Sequence, residues 1–249
     1  MARCAALWNG FGRMAMSGKA VAIVVAMARE LAPMLRGVRP QEVDGLQFFE
    51  LDRVVVAVGG IGRKAATRAA QAAVEGYEPS MMVSAGIAGA LSPGLKVGDV
   101  VAAREVVDTT SGIHFASSGG DAVVATVSSV SGPAEKRMLA ERWNADVVDM
   151  EAAAVAEVAR SRGIEFAAVK TISDSLDFVM PPVGKFANDA GKFDTLKFVA
   201  YLAVRPKWWQ AVRHLDHNSR IAAVNLSHAL QHRIPQWLLT APHQGVSGS

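Results

Sequence analysis

The sequence predicts one α/β domain with a mainly parallel, mixed central sheet and helices on both of its faces. Short β-branched apolar runs alternate with helical patterns from residue 19 to residue 172, which is typical of such sheets. A chain of 249 residues forms one domain by default. We expect an irregular extension over residues 1–18, the domain over 19–235, and a frayed tail over 236–249.

The elements are placed by periodicity and by turn residues. Strands are predicted over residues 19–26, 45–51, 53–58, 81–85, 98–107, 122–128, 147–149 and 166–172. Helices are predicted over residues 27–36, 63–75, 133–143, 151–162 and 193–204, from about 206, and over 218–232.

Composition narrows the class of protein. No apolar run reaches the length of a membrane span. The single cysteine, Cys4, excludes an intrachain disulfide and fits a reducing compartment. The first 18 residues contain no long apolar segment, so we expect no secretory signal. Net charge is +3, with the positive excess after residue 191, which suggests a basic surface. We therefore expect a cytoplasmic chain, with peripheral contact to the inner face of a membrane left open.

A pair of carboxylates marks the centre of the sequence. The apolar run before Asp149 ends in Asp149-Met150-Glu151 and passes directly into an alanine-rich helix. In open α/β sheets, ligands bind at the carboxyl ends of the strands. A charged helix N-terminus explains the same residues without any ligand, because acidic groups there are favoured by the helix dipole.

Other predicted strands end in unusual residues too. Arg29-Glu30 follows the first strand, Ser173-Asp174 follows the last, and the glycine-rich sequences GGIG (59–62) and AGIAG (85–89) follow two between them. Each has an ordinary explanation as a turn or a helix start, but their coincidence at one edge favours a binding site. Three carboxylates at that edge suit a polyol or a basic heterocycle better than a phosphate.

The order of these motifs resembles a known superfamily. AM-x-x-E, GGIG, SAGIAGALSPGLKVGDVV, VVDMEAAAVA and KTISDS occur between residues 19 and 177 in the order found in nucleoside phosphorylases and nucleosidases. Within that superfamily the chain is most similar to methylthioadenosine/S-adenosylhomocysteine nucleosidases, which cleave the N-glycosidic bond of adenine nucleosides with water. The resemblance implies that fold and a hydrolase.

The resemblance also assigns roles to residues. It implies that Glu30 deprotonates the attacking water and that Asp174, beside Ser173, protonates purine N7. Glu151 then binds the ribose hydroxyls, with Met150 packed against the sugar. Burial is expected to raise the pKa of such a carboxylic acid. Further substrate-binding positions implied on the ribose side are Gly60, Ala85, Gly86 and Ile87.

Two departures from the family pattern affect substrate and nucleophile. Ser84 and Ile87 stand where phosphorylases of the hexameric branch carry the Arg and Ser of a phosphate clamp, which favours water; Arg29 or Arg63 is an alternative source of charge. Residues 127–132 contain no aromatic side chain where the nucleosidases stack one on the purine, so Phe178 is the candidate for stacking.

The C-terminal part is similar to hopanoid-associated nucleosidases, which release adenine from the lipid adenosylhopane. Its segment from Lys197 to Arg213 mixes tryptophans with basic residues, a composition that suits a membrane interface. The same residues also suit an oligomer interface.

We therefore expect a nucleosidase that acts on an adenosyl compound, and adenosylhopane is the first candidate for that compound. A methylthioadenosine/S-adenosylhomocysteine nucleosidase or a purine nucleoside phosphorylase is the enzymatic alternative. A non-catalytic nucleoside- or lipid-binding module is the alternative from another class. We expect no metal, no other cofactor and no nucleic-acid partner, and a homo-oligomer.

Overall fold

The computed structural model describes residues 21–179 and 208–240, and it confirms the α/β fold with a mixed central sheet. The strands are β1 (Val21–Val25), β2 (Gln41–Val43), β3 (Leu46–Leu51), β4 (Val54–Val58), β5 (Met81–Ala90), β6 (Val100–Asp108), β7 (Ile113–Ala116), β8 (Ala122–Thr126), β9 (Val147–Asp149) and β10 (Glu165–Asp174). The helices are α1 (Arg63–Tyr77), α2 (Pro133–Trp143), α3 (Ala152–Ser161) and α4 (Trp209–Thr240), with a 3-10 turn over Ala28–Leu31.

Strand β5 organises the sheet. The order is β10-β6-β8-β9-β5-β1-β4-β3-β2, with β7 beside β6, and β10 returns to pair with β5. Strands β1, β4, β5 and β10 run parallel, as do β6, β8 and β9, but the two groups are antiparallel to each other. The sheet is therefore less uniformly parallel than the alternation of elements suggests.

One edge of β5 is shared between two strands. Residues 81–84 pair with β1, and residues 89–90 pair with β9, so the register leaves residues 85–88 without a partner on this edge among the described strands. Backbone polar groups at such a gap are free to bond a ligand. The gap lies where β1, β9 and β10 all end.

Small side chains let the helices lie close to the sheet. Helix α1 buries five alanines, and α3 buries a further run of alanines and valines. A Cβ at Gly59 would lie 2.8 Å from the Ala65 carbonyl oxygen and 2.9 Å from the Ala69 Cβ, so the chain entering α1 requires glycine. The alanine-rich pattern of the sequence thus reflects close packing.

The sequence analysis was wrong about several element bounds. The helix predicted over 27–36 is a 3-10 turn followed by further turns, because Pro33 has no N–H to donate to a helical hydrogen bond. Strand β5 runs five residues past its predicted end because β10 pairs with it as far as Gly89. The hairpin strand β2 and the edge strand β7 were not predicted.

The C-terminal helix is longer than expected. Helix α4 joins the helices predicted from about 206 and over 218–232, and it continues through Pro235 into the predicted tail. It buries Leu226 and Leu230 against the sheet, and its Asn225 side chain donates to the Gly98 carbonyl oxygen at 2.7 Å. The helix predicted over 193–204 and the extension over 1–18 lie outside the described residues. No helix within 21–179 or 208–240 combines the length and apolarity needed to cross a membrane.

Candidate active site

A cavity of about 400 Å³ opens at the gap in β5. That volume is within the range of small-molecule sites, roughly 300–1,000 Å³. Its walls come from the ends of β1, β9 and β10, the middle of β5, the loop after β8 and the first turns of α4. Although β9 is antiparallel to β5, it pairs only with the last residues of β5, and its acidic end therefore reaches the same cavity.

The cavity brings most of the predicted site residues together. The predicted residues that line it are Glu30, Ile87, Met150, Glu151, Ser173 and Asp174. Gly86 lies against Glu30. Gly60, Ala85 and Phe178 are not among the lining residues; Ala85 is buried in β5, and Phe178 is half-buried in the loop after β10.

Glu30 is a buried carboxyl without a hydrogen-bond partner for one oxygen. The 3-10 turn places it at the end of β1, where it is 4% exposed, and its Oε2 has no partner among the described residues. Burial, followed by the negative charge of Glu151, raises the pKa of Glu30 to about 8. Gly86, at φ +152°, leaves room for it: a Cβ there would lie 3.0 Å from Oε2.

Glu151 is held by backbone N–H groups at the start of α3. Its Oε1 accepts from the Gly62 N–H at 2.7 Å, and its Oε2 accepts from the Met150 N–H at 3.3 Å. Burial, followed by the charge of Asp149, raises the pKa of Glu151 to about 7. The glycine-rich turn before α1 therefore positions a carboxylate of the cavity.

A buried ammonium group balances the acidic end of β9. Lys170 Nζ lies 2.7 Å from Asp149 Oδ2 and donates to Ser84 Oγ at 3.0 Å, and Lys170 is 1% exposed. Asp149 also accepts from the Thr126 hydroxyl at 2.6 Å. The sequence analysis missed Lys170, although a lysine inside the apolar strand EFAAVKTI could have indicated a buried ion pair.

Asp174 forms an ion pair at the other end of the cavity. Lys136 Nζ, from α2, donates to Asp174 Oδ2 and to the Ser175 carbonyl oxygen at 2.7 Å. The Ser173 hydroxyl donates to Asp174 Oδ1 at 2.7 Å. The sequence analysis considered only burial as an influence on Asp174 and did not predict this ammonium group. Nothing in the sequence distinguishes Lys136 from an ordinary surface lysine of a helix.

The remaining walls mix apolar and polar side chains. Helix α4 contributes an apolar part, Val212 and Leu215, next to Asp216 and Ser219, and the loop after β8 contributes valines and serines: Val127, Ser129, Val130 and Ser131. The lining residues in the described part of the chain include no aromatic side chain, in agreement with the absence of one from residues 127–132. Sequence reasoning did not place α4 at the cavity.

Positive charge for a phosphate is scarce at this site. Arg29 lines the cavity, but Arg63 does not; its guanidinium pairs with Asp108 at 2.5 Å and with Glu157 at 3.1 Å. The Ser84 hydroxyl oxygen accepts a hydrogen bond from Lys170, and Lys170 is in turn paired with Asp149. Within 21–179 and 208–240, no three acidic, histidine or cysteine residues cluster as a metal site.

Comparisons with known proteins identify the family of this chain. Residues 20–126 and 118–200 match the family described as the Phosphorylase superfamily. The chain is 28% identical to the 5′-methylthioadenosine/S-adenosylhomocysteine nucleosidase of Actinobacillus succinogenes, over 63% of this chain and 86% of the relative. Identity to the enzyme of that name from Haemophilus ducreyi is 27%, over 63% and 85%.

Solved structures share the fold. A mutant of Helicobacter pylori MTAN with 5′-methylthioadenosine in its active site superposes with a TM-score of 0.68 and 20% identity, over 88% of this chain and all of that chain. The futalosine hydrolase of Helicobacter pylori gives a TM-score of 0.67 and 19% identity, over 88% and 98%. The Arabidopsis thaliana 5′-methylthioadenosine nucleosidase gives 0.68 and 18%, over 88% and 96%.

Proposed function

Because this chain belongs to the phosphorylase superfamily, we propose that it is a nucleosidase that uses water to release adenine from an adenosyl compound. The family match confirms the predicted fold class, and the relatives named as nucleosidases support the predicted enzyme class, N-glycosidic bond hydrolysis. The observation that carries the proposal is Glu30, a buried carboxyl with an unpaired oxygen, across a cavity from Asp174.

Glu30 is suited to act as the general base. A base works best when its pKa is near the working pH, since it must be ionised yet still hold the proton it accepts. The pKa of Glu30 is raised to about 8, first by burial and then by Glu151, so the group is far more basic than an exposed glutamate. Its Oε2, which has no partner among the described residues, is the atom that would accept a proton from the attacking water.

Glu151 and Met150 would hold the sugar between the two ends of the cavity. Cleavage of the bond from C1′ to N9 passes through an oxocarbenium-like state, which nearby carboxylates stabilise. Glu151 lines the cavity and is fixed by the Gly62 N–H, so its charge is available without reorganisation. Asp174 would deliver a proton to N7 of the leaving adenine.

Water suits this site better than phosphate. A phosphate anion next to Glu30, Glu151 and Asp149 would face three carboxyl groups, and Lys170 is already paired with one of them. Arg63 is engaged outside the cavity. Lys136, another lining cation, is paired with Asp174, so a phosphorylase reaction would have to depend on Arg29 among the described lining residues.

We propose adenosylhopane as the substrate, with methylthioadenosine or S-adenosylhomocysteine as the second candidate. The apolar wall formed by Val212 and Leu215 of α4 suits a hydrocarbon 5′ substituent, and the resemblance of the C-terminal part points the same way. The second candidate is favoured by the two relatives named for those substrates. Homo-oligomer formation and peripheral contact with a membrane are part of the first proposal.

Chromatographic measurement of adenine release tests the proposal. Adenosylhopane in detergent micelles and methylthioadenosine are each incubated with the full chain, with and without phosphate, beside Glu30→Gln as the inactive control. Release from adenosylhopane without phosphate is expected. Release from methylthioadenosine alone would select the second candidate, strict dependence on phosphate would contradict hydrolysis, and no release from either would contradict the function.

A further inference from the structure

Lys136 is a buried cation that the reaction described so far does not use. It is 1% exposed, lines the cavity, and places Nζ against Asp174 Oδ2 and the Ser175 carbonyl oxygen. Asp174 is 3% exposed. In such an ion pair the protons belong to the ammonium group, and the carboxylate carries none of its own to give to a leaving base.

We propose that Lys136 supplies the proton that Asp174 delivers to the leaving base. The inference rests on the proposed function and adds a residue to its proton-transfer path. Lys136 acts through Asp174, so it is a positioning and proton-supplying residue, while Asp174 is the group that contacts the base.

The position of Lys136 argues against a purely structural role. It lies in the first turn of α2, where its N–H bonds to the Gly132 carbonyl oxygen, and a cation at a helix N-terminus opposes the helix dipole. A buried ion pair is often no more stabilising than apolar residues of the same size. An unfavourable location for a costly group is typical of functional sites.

The proposed step balances in atoms and charge. Asp174, the carboxylate of the ion pair, takes a proton from the Lys136 ammonium group through the existing hydrogen bond. As the bond from C1′ to N9 breaks, its electron pair moves into the purine, and N7 takes that proton from the Asp174 carboxyl. The carboxylate is restored, Lys136 is left as a neutral amine, and solvent returns its proton after the base departs.

The surroundings keep this pair together and separate it from other charges. A Cβ on Gly89 would lie 3.0 Å from Asp174 Oδ2 and 3.1 Å from Lys136 Nζ, so the glycine makes the contact possible. Neighbouring charges have partners of their own. The pairs are Arg137 with Asp177 beside α2, and Asp216 with Arg220 on α4.

Four variants test the inference through adenine release by the full chain. They are Lys136→Met, Lys136→Arg, Asp174→Asn and the double variant Lys136→Met/Asp174→Asn, with Arg137→Met as a control that removes the neighbouring exposed cation. Arginine keeps the positive charge but does not release a proton in this pH range. The double variant removes both charges, so it remains folded if an unpaired carboxylate destabilises Lys136→Met.

We expect Lys136→Met and Lys136→Arg each to lower kcat roughly 100-fold or more near pH 8, within the range for general acid catalysis. The double variant should lose no more activity than the less active of Lys136→Met and Asp174→Asn, because both residues serve one proton transfer. The loss in Lys136→Met should shrink as pH falls, since solvent then supplies more readily the proton that Lys136 no longer provides. Arg137→Met should keep the wild-type rate.

A wild-type rate in Lys136→Arg would overturn the inference, because charge pairing alone would then suffice. Additive losses in the double variant, or a loss in Lys136→Met that is constant with pH, would overturn it as well. These outcomes leave wild-type adenine release intact, so they are distinct from failure of the proposed function. A wild-type chain that releases no adenine contradicts both.

Discussion

The two ends of the cavity carry carboxyl groups in opposite electrostatic settings. Among the described residues no ammonium group bonds to Glu30, and a second carboxyl, Glu151, lies near it, so Glu30 holds a proton tightly for a glutamate. Asp174 lies against the Lys136 ammonium group and accepts from the Ser173 hydroxyl. The same functional group is thereby prepared for opposite tasks, accepting a proton at one end and relaying one at the other.

The contrast depends on which cation reaches which carboxylate. Lys170 lies in the acidic group near Glu30, yet its bond goes to Asp149, and its effect on Glu30 is only a partial lowering of a raised pKa. Lys136 bonds directly to its carboxylate. The two carboxyl groups therefore differ in whether an ammonium group contacts them directly.

The largest expected effect is loss of the base. Glu30→Gln should lower kcat roughly 10²–10⁴-fold, because the amide cannot accept the proton of water. Adenine release under saturating substrate measures this, with the exposed Glu42→Gln as a matched control. A Glu30→Gln rate within threefold of wild type would remove the contrast between the two ends.

Two glycines test the ends separately. Gly86→Ala should crowd Glu30 Oε2 and Gly89→Ala should crowd the pair of Lys136 and Asp174, each lowering kcat about 10–100-fold, since small misplacements of catalytic groups are costly. Gly132→Ala is the control, because a Cβ there meets nothing within 4 Å and its φ is −83°. Equal rates in all three variants would show that neither close approach matters.

Stability should change with pH at the Glu30 end. The pKa of Glu30 is about 8 when folded and 4.5 by its ordinary value, so the folded state keeps a proton that the unfolded chain loses between these values. Wild-type stability therefore falls as pH rises from 4.5 to 8, and Glu30→Gln escapes that loss. The variant should be more stable by a few kcal/mol at pH 9, with no gain below pH 4.5. Urea unfolding at both pH values measures this, and a pH-independent difference would contradict the buried, raised carboxyl.

The smallest expected effect is on the acidic limb of the profile of kcat/KM against pH. Because Glu30 must be ionised to act, kcat/KM should fall as pH drops below about 8. Glu151→Gln removes the second cause of the raised pKa and should move this limb to lower pH by about one unit. An unmoved limb in Glu151→Gln would mean that burial alone makes Glu30 basic.

The sequence predicted those cavity residues that stand at the ends of strands and within recognisable motifs. Glu30, Glu151 and Asp174 were found because each follows an apolar run whose end faces the cavity. Lys136 and Lys170 were missed because their importance lies in partners 38 and 21 residues away in the chain, and a sequence without the fold does not show those contacts.

The remaining misses also have physical causes. The loop after β10 leaves Phe178 outside the cavity wall, and no aromatic residue replaces it among the described lining residues. The apolar wall from α4 depends on where a helix distant in sequence docks, which is set by tertiary contacts such as that of Asn218 with the Ser173 carbonyl oxygen at 3.1 Å.

The identity of the sugar product tests the central claim most directly. The full chain is given the adenosyl substrate that it turns over in buffer containing phosphate, and the product is analysed by mass spectrometry. The account predicts the free sugar, with adenine released equally fast when phosphate is left out. A sugar 1-phosphate as the product would contradict it and would make the enzyme a phosphorylase.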